Sequence, residues 1–246
     1  MRILIAGESW VTHSIHVKGV DSFTTSGYEE GIGWIQQALE AAGMTVEHLP
    51  GHLVPARFPR SRDELEAYDV VVLSDIGSNS LLLAPETFSR SECSADRLRA
   101  VEEYVRHGGG LAMIGGYLSF AGIEGKARFH GTPVEEALPV TISALDDRIE
   151  VPQGVVPAVR QREHPLVEGI DGEWPALLGY NRVVAKPTAE VVVSYGDDPL
   201  LACHMYGAGR SAAFTSDCAP HWGPPAFLTW VHYGRLWSNL MTWLAG

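Results

Sequence analysis

Residues 107–120, His107-Gly-Gly-Gly-Leu-Ala-Met-Ile-Gly-Gly-Tyr-Leu-Ser-Phe120, restrict what this chain can fold into more than any other stretch. A segment of helical character runs into Gly108-Gly109-Gly110, where a left-handed C-cap is available. The apolar run 111–114 follows and reads as a buried strand. Gly115-Gly116 then permits a turn sharper than a Cβ allows. In an open α/β sheet such a turn lies at the carboxyl edge, where ligands bind.

The rest of the chain repeats this rhythm. Residues 2–6 are apolar throughout and read as a strand covered on both faces. A polar loop is predicted over 11–27, a helix over 28–42 stopped by Gly43, a short strand over 45–49 and a buried strand over 69–74. A helix over 94–107, with Ser94 as N-cap and Leu98, Val101 and Val105 on its apolar face, leads into the glycine stretch. The alternation predicts a doubly wound, mostly parallel sheet. Residues 122–188, rich in proline and glycine, read as an insertion or edge region of a single domain spanning 1–246. Strands return at 190–195, 200–205 and 210–216, joined by turn-forming residues. An aromatic-rich helix over 226–244 closes the chain and is expected to pack on the sheet.

Charge excludes whole classes of partner. A formal net charge of −12 disfavours nucleic acid and anionic membrane surfaces. No segment approaches the roughly 18 unbroken apolar residues of a membrane span, and the N-terminal apolar run is too short for a signal peptide. Three cysteines without paired spacing fit a reduced, cytoplasmic compartment.

Polar residues collect where the predicted strands end. Glu8-Ser9-Trp10, the segment from Asp75 to Asn79, the turn carrying Gly115, Gly116, Tyr117 and Ser119, and the run Asp217 to Trp222 with His221 all fall at one sheet edge. They predict a site for a small polar ligand, with Glu8, Asp75, Asp217 and His221 as candidate acid, base or ligand groups. His13 and His16 read as a solvated pair, so no metal set and no cofactor is assigned. Cys218, at the end of an apolar run, reads as packing in preference to a thiolate paired with His221. Cys203 and His204 are adjacent in a strand and point to opposite faces.

Three further stretches carry a resemblance. They are the helix with Gly108-Gly109-Gly110, the run His164-Pro165-Leu166-Val167-Glu168-Gly169-Ile170, and the run from Pro199-Leu200-Leu201-Ala202-Cys203-His204 through Tyr206-Gly207-Ala208-Gly209-Arg210 to Phe214-Thr215-Ser216. In this order they resemble the class I glutamine amidotransferase-like superfamily, nearest its ThuA-like (trehalose-utilisation-type) branch. The resemblance implies a flavodoxin-like, three-layer α/β fold. Catalytic members carry an elbow cysteine and a late His-x-Glu. Here Gly115 aligns with the elbow and no His-x-Glu occurs. Glycine cannot hold an acyl intermediate, so standard glutaminase chemistry is not expected. The branch suggests a sugar as the ligand. A non-classical hydrolase or amidase using the carboxylates and His221, or a homo-oligomeric assembly module built on the aromatic C-terminal helix, are the alternatives.

Overall fold

In a computed structural model that describes residues 1–246, the four apolar runs form adjacent parallel strands. Arg2–Gly7 pairs with Val70–Ser74, which pairs with Gly110–Ile114, which pairs with Gly209–Phe214. Thr45–Leu49 flanks the first of these in parallel. The antiparallel strands Asp198–Tyr206, Glu190–Tyr195 and Ala158–Val159 complete an eight-stranded sheet on the other side.

Alternation along the parallel strands supplies two cores. Ile3 and Ile5 enter a cluster of 34 buried residues shared with the helices Gly33–Ala41 and Tyr233–Ala245. Leu4 and Ala6 face the other way, into a cluster of 29 shared with the helix Arg97–Arg106. A parallel sheet needs this double cover, which is why its strands read as unbroken apolar runs. The result is the flavodoxin-like, three-layer α/β arrangement.

Four local expectations are corrected. Residues 11–27 form no loop. Ser9–Lys18 and Asp21–Glu30 pair along their whole length as a hairpin closed at Gly19-Val20. Its many Ser and Thr residues mimic a loop, because the ribbon is solvated on both faces while its Val, Ile, Thr, Tyr and Phe residues favour extended backbone. The first helix therefore begins only at Gly33. The helix before the glycines begins at Arg97, and Asp96, not Ser94, caps it by accepting from Arg99 N at 3.0 Å. The C-terminal helix is broken. A turn at Pro225–Leu228 precedes Tyr233–Ala245, and the Thr229 hydroxyl donates to Pro225 O at 2.8 Å where the two separate.

Most of the apolar face of that segment is buried within the chain, with Trp230 and Trp243 partly exposed. Phe227 and Trp237 are buried, and Phe214 packs edge-on against Trp237 at 5.1 Å. Residues 122–188 contribute two small antiparallel sheets, Arg148–Val155 with Leu177–Asn181 and Val140–Thr141 with Val184–Ala185. The first of these reaches over the carboxyl edge of the main sheet.

Gly115 shows how tightly that edge is built. Its N–H donates to Phe214 O at 2.8 Å and Ser216 O at 2.9 Å, and an added Cβ would lie 2.2 Å from Thr215 O. The obstruction is backbone, which cannot rotate away. Gly115→Val is expected to lower unfolding stability by about 1–3 kcal/mol, read as a lower urea midpoint at unchanged slope. An unchanged midpoint would show that the turn has room.

Candidate functional site

Ladder register sets the strand ends level. Gly7 lies opposite Ser74, Ser74 opposite Ile114, and Ile114 opposite Phe214. The residues that follow therefore emerge side by side. Glu8, Asp75, Asp217 and His221 line one cavity of about 390 Å3, with Trp10, Tyr117 and Leu118 among its walls. Three of these residues hold positive φ: Glu8 at 47°, Asp75 at 45° and His221 at 147°. Side chains other than glycine rarely adopt this region, and such strain concentrates at functional sites.

Hydrogen bonds hold the strained residues in place. Glu8 N donates to Ser74 O at 3.0 Å, and the Ser74 hydroxyl donates to Glu8 Oε1 at 2.5 Å. Asp75 N donates to Ser119 Oγ at 3.0 Å, and Leu118 N donates to Asp75 Oδ1 at 2.6 Å. Asp217 Oδ1 accepts from Ala219 N at 2.9 Å, and its Oδ2 lies 3.4 Å from His221 Nδ1. Tyr117 meets the His221 ring edge-on at 4.1 Å, Trp222 stacks on it at 4.8 Å, and Tyr117 and Trp222 meet each other edge-on at 5.9 Å.

Burial dominates the electrostatics. It pushes the Glu8 carboxyl well above the ordinary range, and the charges of Asp217 and Asp75 push it further. Asp217 rises for the same two reasons, burial first and Asp75 next. Asp75 is raised by burial, against the Leu118 N–H and His221, which oppose the rise. Burial lowers His221 and so favours its neutral form. Burial also drives the Cys218 thiol well up, so it is no thiolate nucleophile. One donor atom each of Glu8, Asp217 and Cys218 lie within 4.8 Å of one another. Burial raises all three, which opposes the ionised forms that a cation needs. The crevice is better suited to offering O–H donors than to holding charge.

The other predicted residues separate into supports and outsiders. Ser119 donates to Ile114 O while accepting from Asp75 N, so it shapes the turn and has no base beside it. Of the two turn glycines, Gly116 carries the positive φ, 152°, and faces Asp75, whose Oδ1 a Cβ would approach to 2.8 Å. Gly115 lies beneath Thr215, away from the cavity. Trp222 is buried behind His221. Ser9 accepts from Gly51 N at 2.7 Å at the base of the hairpin. Asn79 lines a different cavity with Arg128 and His130, because the short helix Ser78–Leu82 turns it away. His13 and His16 lie three apart in a strand and so on opposite faces, bonded to Ser26 and Thr25 respectively.

Residues of 122–188 that the sequence does not single out complete the site. Asn181 Oδ1 accepts from Gly116 N at 3.0 Å, while its amide donates to Asp147 Oδ1 at 2.8 Å. Glu150 accepts from Tyr117 Oη and Trp222 Nε1, each at 3.0 Å. Arg148 lies 5.0 Å above the Tyr117 ring. The one signal for them was the density of Asp and Arg among short extended pieces.

A family described as "Putative glutamine amidotransferase" (GATase1-like) matches residues 2–246. The chain belongs to this family. Two solved structures from the same genus are similar along nearly the whole chain. "Cytoplasmic Protein STM3548 from Salmonella typhimurium" is 47% identical with a TM-score of 0.96, and it covers 99% of both chains. "Cytoplasmic Protein STM1381 from Salmonella typhimurium LT2" is 45% identical with a TM-score of 0.95, again over 99% of both. A ThuA-like protein from Parabacteroides merdae ATCC 43184 shares the fold at 14% identity and a TM-score of 0.60, over 99% of this chain and 89% of its own. No curated protein matches.

The turn after the third of the four adjacent parallel strands carries Gly115 and Gly116, and the side chains of Tyr117 and Leu118 that follow line the cavity. Cys203 faces His164 at 3.5 Å in the core, its thiol pushed up to about 12 by burial, while His204 points to the opposite side and bonds Ala137 O. Neither of the two buried thiols is activated.

The raised carboxyls make a pH prediction. A carboxyl whose folded pKa exceeds its unfolded value lets the native state bind more protons. Stability then falls as pH climbs from about 4, the unfolded value, through the folded one. Glu8→Gln keeps an acceptor for Ser74 and removes the ionisation. At pH 8 its Tm should exceed the parent's by about 2–4 °C, the equivalent of 1 kcal/mol at this length. The gap should close toward pH 4. A variant that melts below the parent at pH 8 would show that Glu8 is ionised and stabilising.

Proposed function

We propose that the crevice binds a small, hydroxyl-rich ligand of the sugar or polyol class, and that this chain does not hydrolyse glutamine by a cysteine triad. The observation that carries the reading is the convergence of Glu8, Asp75, Asp217 and His221 in one cavity walled by Trp10 and Tyr117. Protonated Glu8 and Asp217 donate to ligand oxygens, while Asp75 and neutral His221 accept. Trp10 and Tyr117 cover the C–H face of a ring. The cavity volume lies within the range of small-molecule sites. We extend the cytoplasmic location in the Salmonella proteins' names to this chain. No helix is long and apolar enough to cross a membrane.

A second reading, acid–base hydrolysis at the same place, draws on the opposed shifts. Burial raises Asp217 and lowers His221, which stand 3.4 Å apart. Such opposed pairs divide acid and base roles.

A thermal-shift screen of monosaccharides, disaccharides and polyols tests the binding reading. At a hundredfold excess over Kd a ligand adds about 2.7 kcal/mol, or roughly 5–10 °C at this length. Asp217→Ala and His221→Ala should retain the fold by circular dichroism and lose that shift. A shift that survives both substitutions would put the ligand elsewhere. No shift from any member of the panel would end the sugar and polyol assignment.

Incubation with glutamine supplies an independent check. Ammonia release is expected to equal the blank. Release that a thiol reagent abolishes would mean that Cys218 or Cys203 is reactive after all.

A further inference from the structure

A second cleft, of about 620 Å3, opens beside the crevice, and the two share Trp10 and Pro220 as walls. They abut at Gly31, where an added Cβ would lie 2.6 Å from Glu8 Oε2 and 3.3 Å from Trp10 Cζ3. Glu8 lines the crevice and Gly31 the cleft, so a ligand held in one has the other beside it.

Two elements supply the cleft's side chains. Trp10 and Glu29 are directly opposed in the hairpin ladder, so both project from one face at its base. Trp34 and Gln37 stand three apart on the helix Gly33–Ala41 and are neighbours on its surface. Trp10 is 38% exposed and Trp34 43%. Indoles are mostly withdrawn from water, and two left open in one cleft present their π faces to an occupant.

Charge decides what that occupant is. Glu30 accepts from the Tyr28 hydroxyl at 2.5 Å and has His48 Nδ1 at 3.9 Å, whereas Glu29 pairs with no group of the chain. No Lys or Arg lines either the cleft or the crevice. Arg148, above the Tyr117 ring, is held by Asp146 at 2.7 Å. An anionic ligand would meet carboxyl groups on every side and no cation to offset them. An ammonium group would meet a free carboxylate and two indole faces, both of which attract it. Burial favours the uncharged forms of Glu8, Asp75 and Asp217, so the cleft is the better place for the cation.

We propose that the ligand is an aminated sugar or polyol, with its hydroxyls in the crevice and its ammonium group in the cleft against Trp10, Trp34 and Glu29. The assignment rests on the crevice binding a hydroxyl-rich ligand, and it adds the charge that this ligand carries.

Calorimetric titration of the full chain with matched pairs tests it. The pairs are N-methylglucamine against sorbitol, and glucosamine against N-acetylglucosamine, at about pH 6.5, below the titration of an aliphatic amine. In at least one pair the amine should bind about tenfold tighter than its neutral counterpart, about 1.4 kcal/mol, and added salt should narrow the gap. Glu29→Gln and Trp34→Ala change exposed side chains, so circular dichroism should be unchanged while the ratio between pair members falls toward one. Asp217→Ala should weaken both members alike. Equal affinity within both pairs, or an advantage for the amine that survives Glu29→Gln and Trp34→Ala, overturns the inference and leaves the crevice reading standing. Amine binding that survives Asp217→Ala overturns the bridging arrangement. Binding by no member of either pair overturns the inference too, and the wider sugar and polyol panel then decides the crevice reading separately.

Discussion

The register of four parallel strands governs everything at the carboxyl edge. With Gly7, Ser74, Ile114 and Phe214 level across the sheet, the next residue of each strand has only one direction to go. Both faces of the sheet are already filled by apolar side chains. Polar groups that follow the strands cannot turn into either core without losing their hydrogen bonds. They gather in the crevice at the strand ends, which is why Glu8, Asp75 and Asp217 share one cavity despite lying far apart in sequence.

Gathering three acids in a buried place has a chemical consequence. Burial disfavours ionisation of all three, the charges of Asp217 and Asp75 disfavour it further for Glu8, and that of Asp75 for Asp217. The crevice therefore favours the uncharged forms of its carboxyls and of the imidazole. The same burial silences Cys218, whose sulfur lies 3.9 Å from the Ser74 hydroxyl that bonds Glu8. The turn after the third parallel strand carries Gly115 and Gly116, and a pocket lined by Glu8, Asp75 and Asp217 lies beside it. Asn181 and Asp147 fasten the turn from outside, so Gly116 N is engaged by protein as the chain stands.

The hairpin follows a different logic. It derives nothing from the sheet's cores, and Val11, Ile15, Val17 and Val20 lie open along it. Its base nevertheless touches the site, because Trp10 lines the crevice.

Local composition determined the layers and the strand ends. Residues 3–6, 70–73, 111–114 and 212–214 are apolar on both sides of the alternation, the pattern of a doubly covered sheet, and Glu8, Asp75 and Asp217 follow within three residues. The two glycines after the third strand marked the sharp turn, although which of them takes the positive φ depends on Thr215 and Asp75, neither of them a neighbour in sequence. The hairpin was hidden, because solvation on both faces gives a strand the composition of a loop. Asn79 was misleading, because a helix of five residues directs it to another cavity. Glu150 and Asn181 were invisible, because they act through bonds to Tyr117, Trp222 and Gly116 across 33 to 72 positions of chain. Periodicity reports which face a residue occupies in its own element. Long-range hydrogen bonds and pKa shifts arise from what a second element brings against it, and only the tertiary structure decides that.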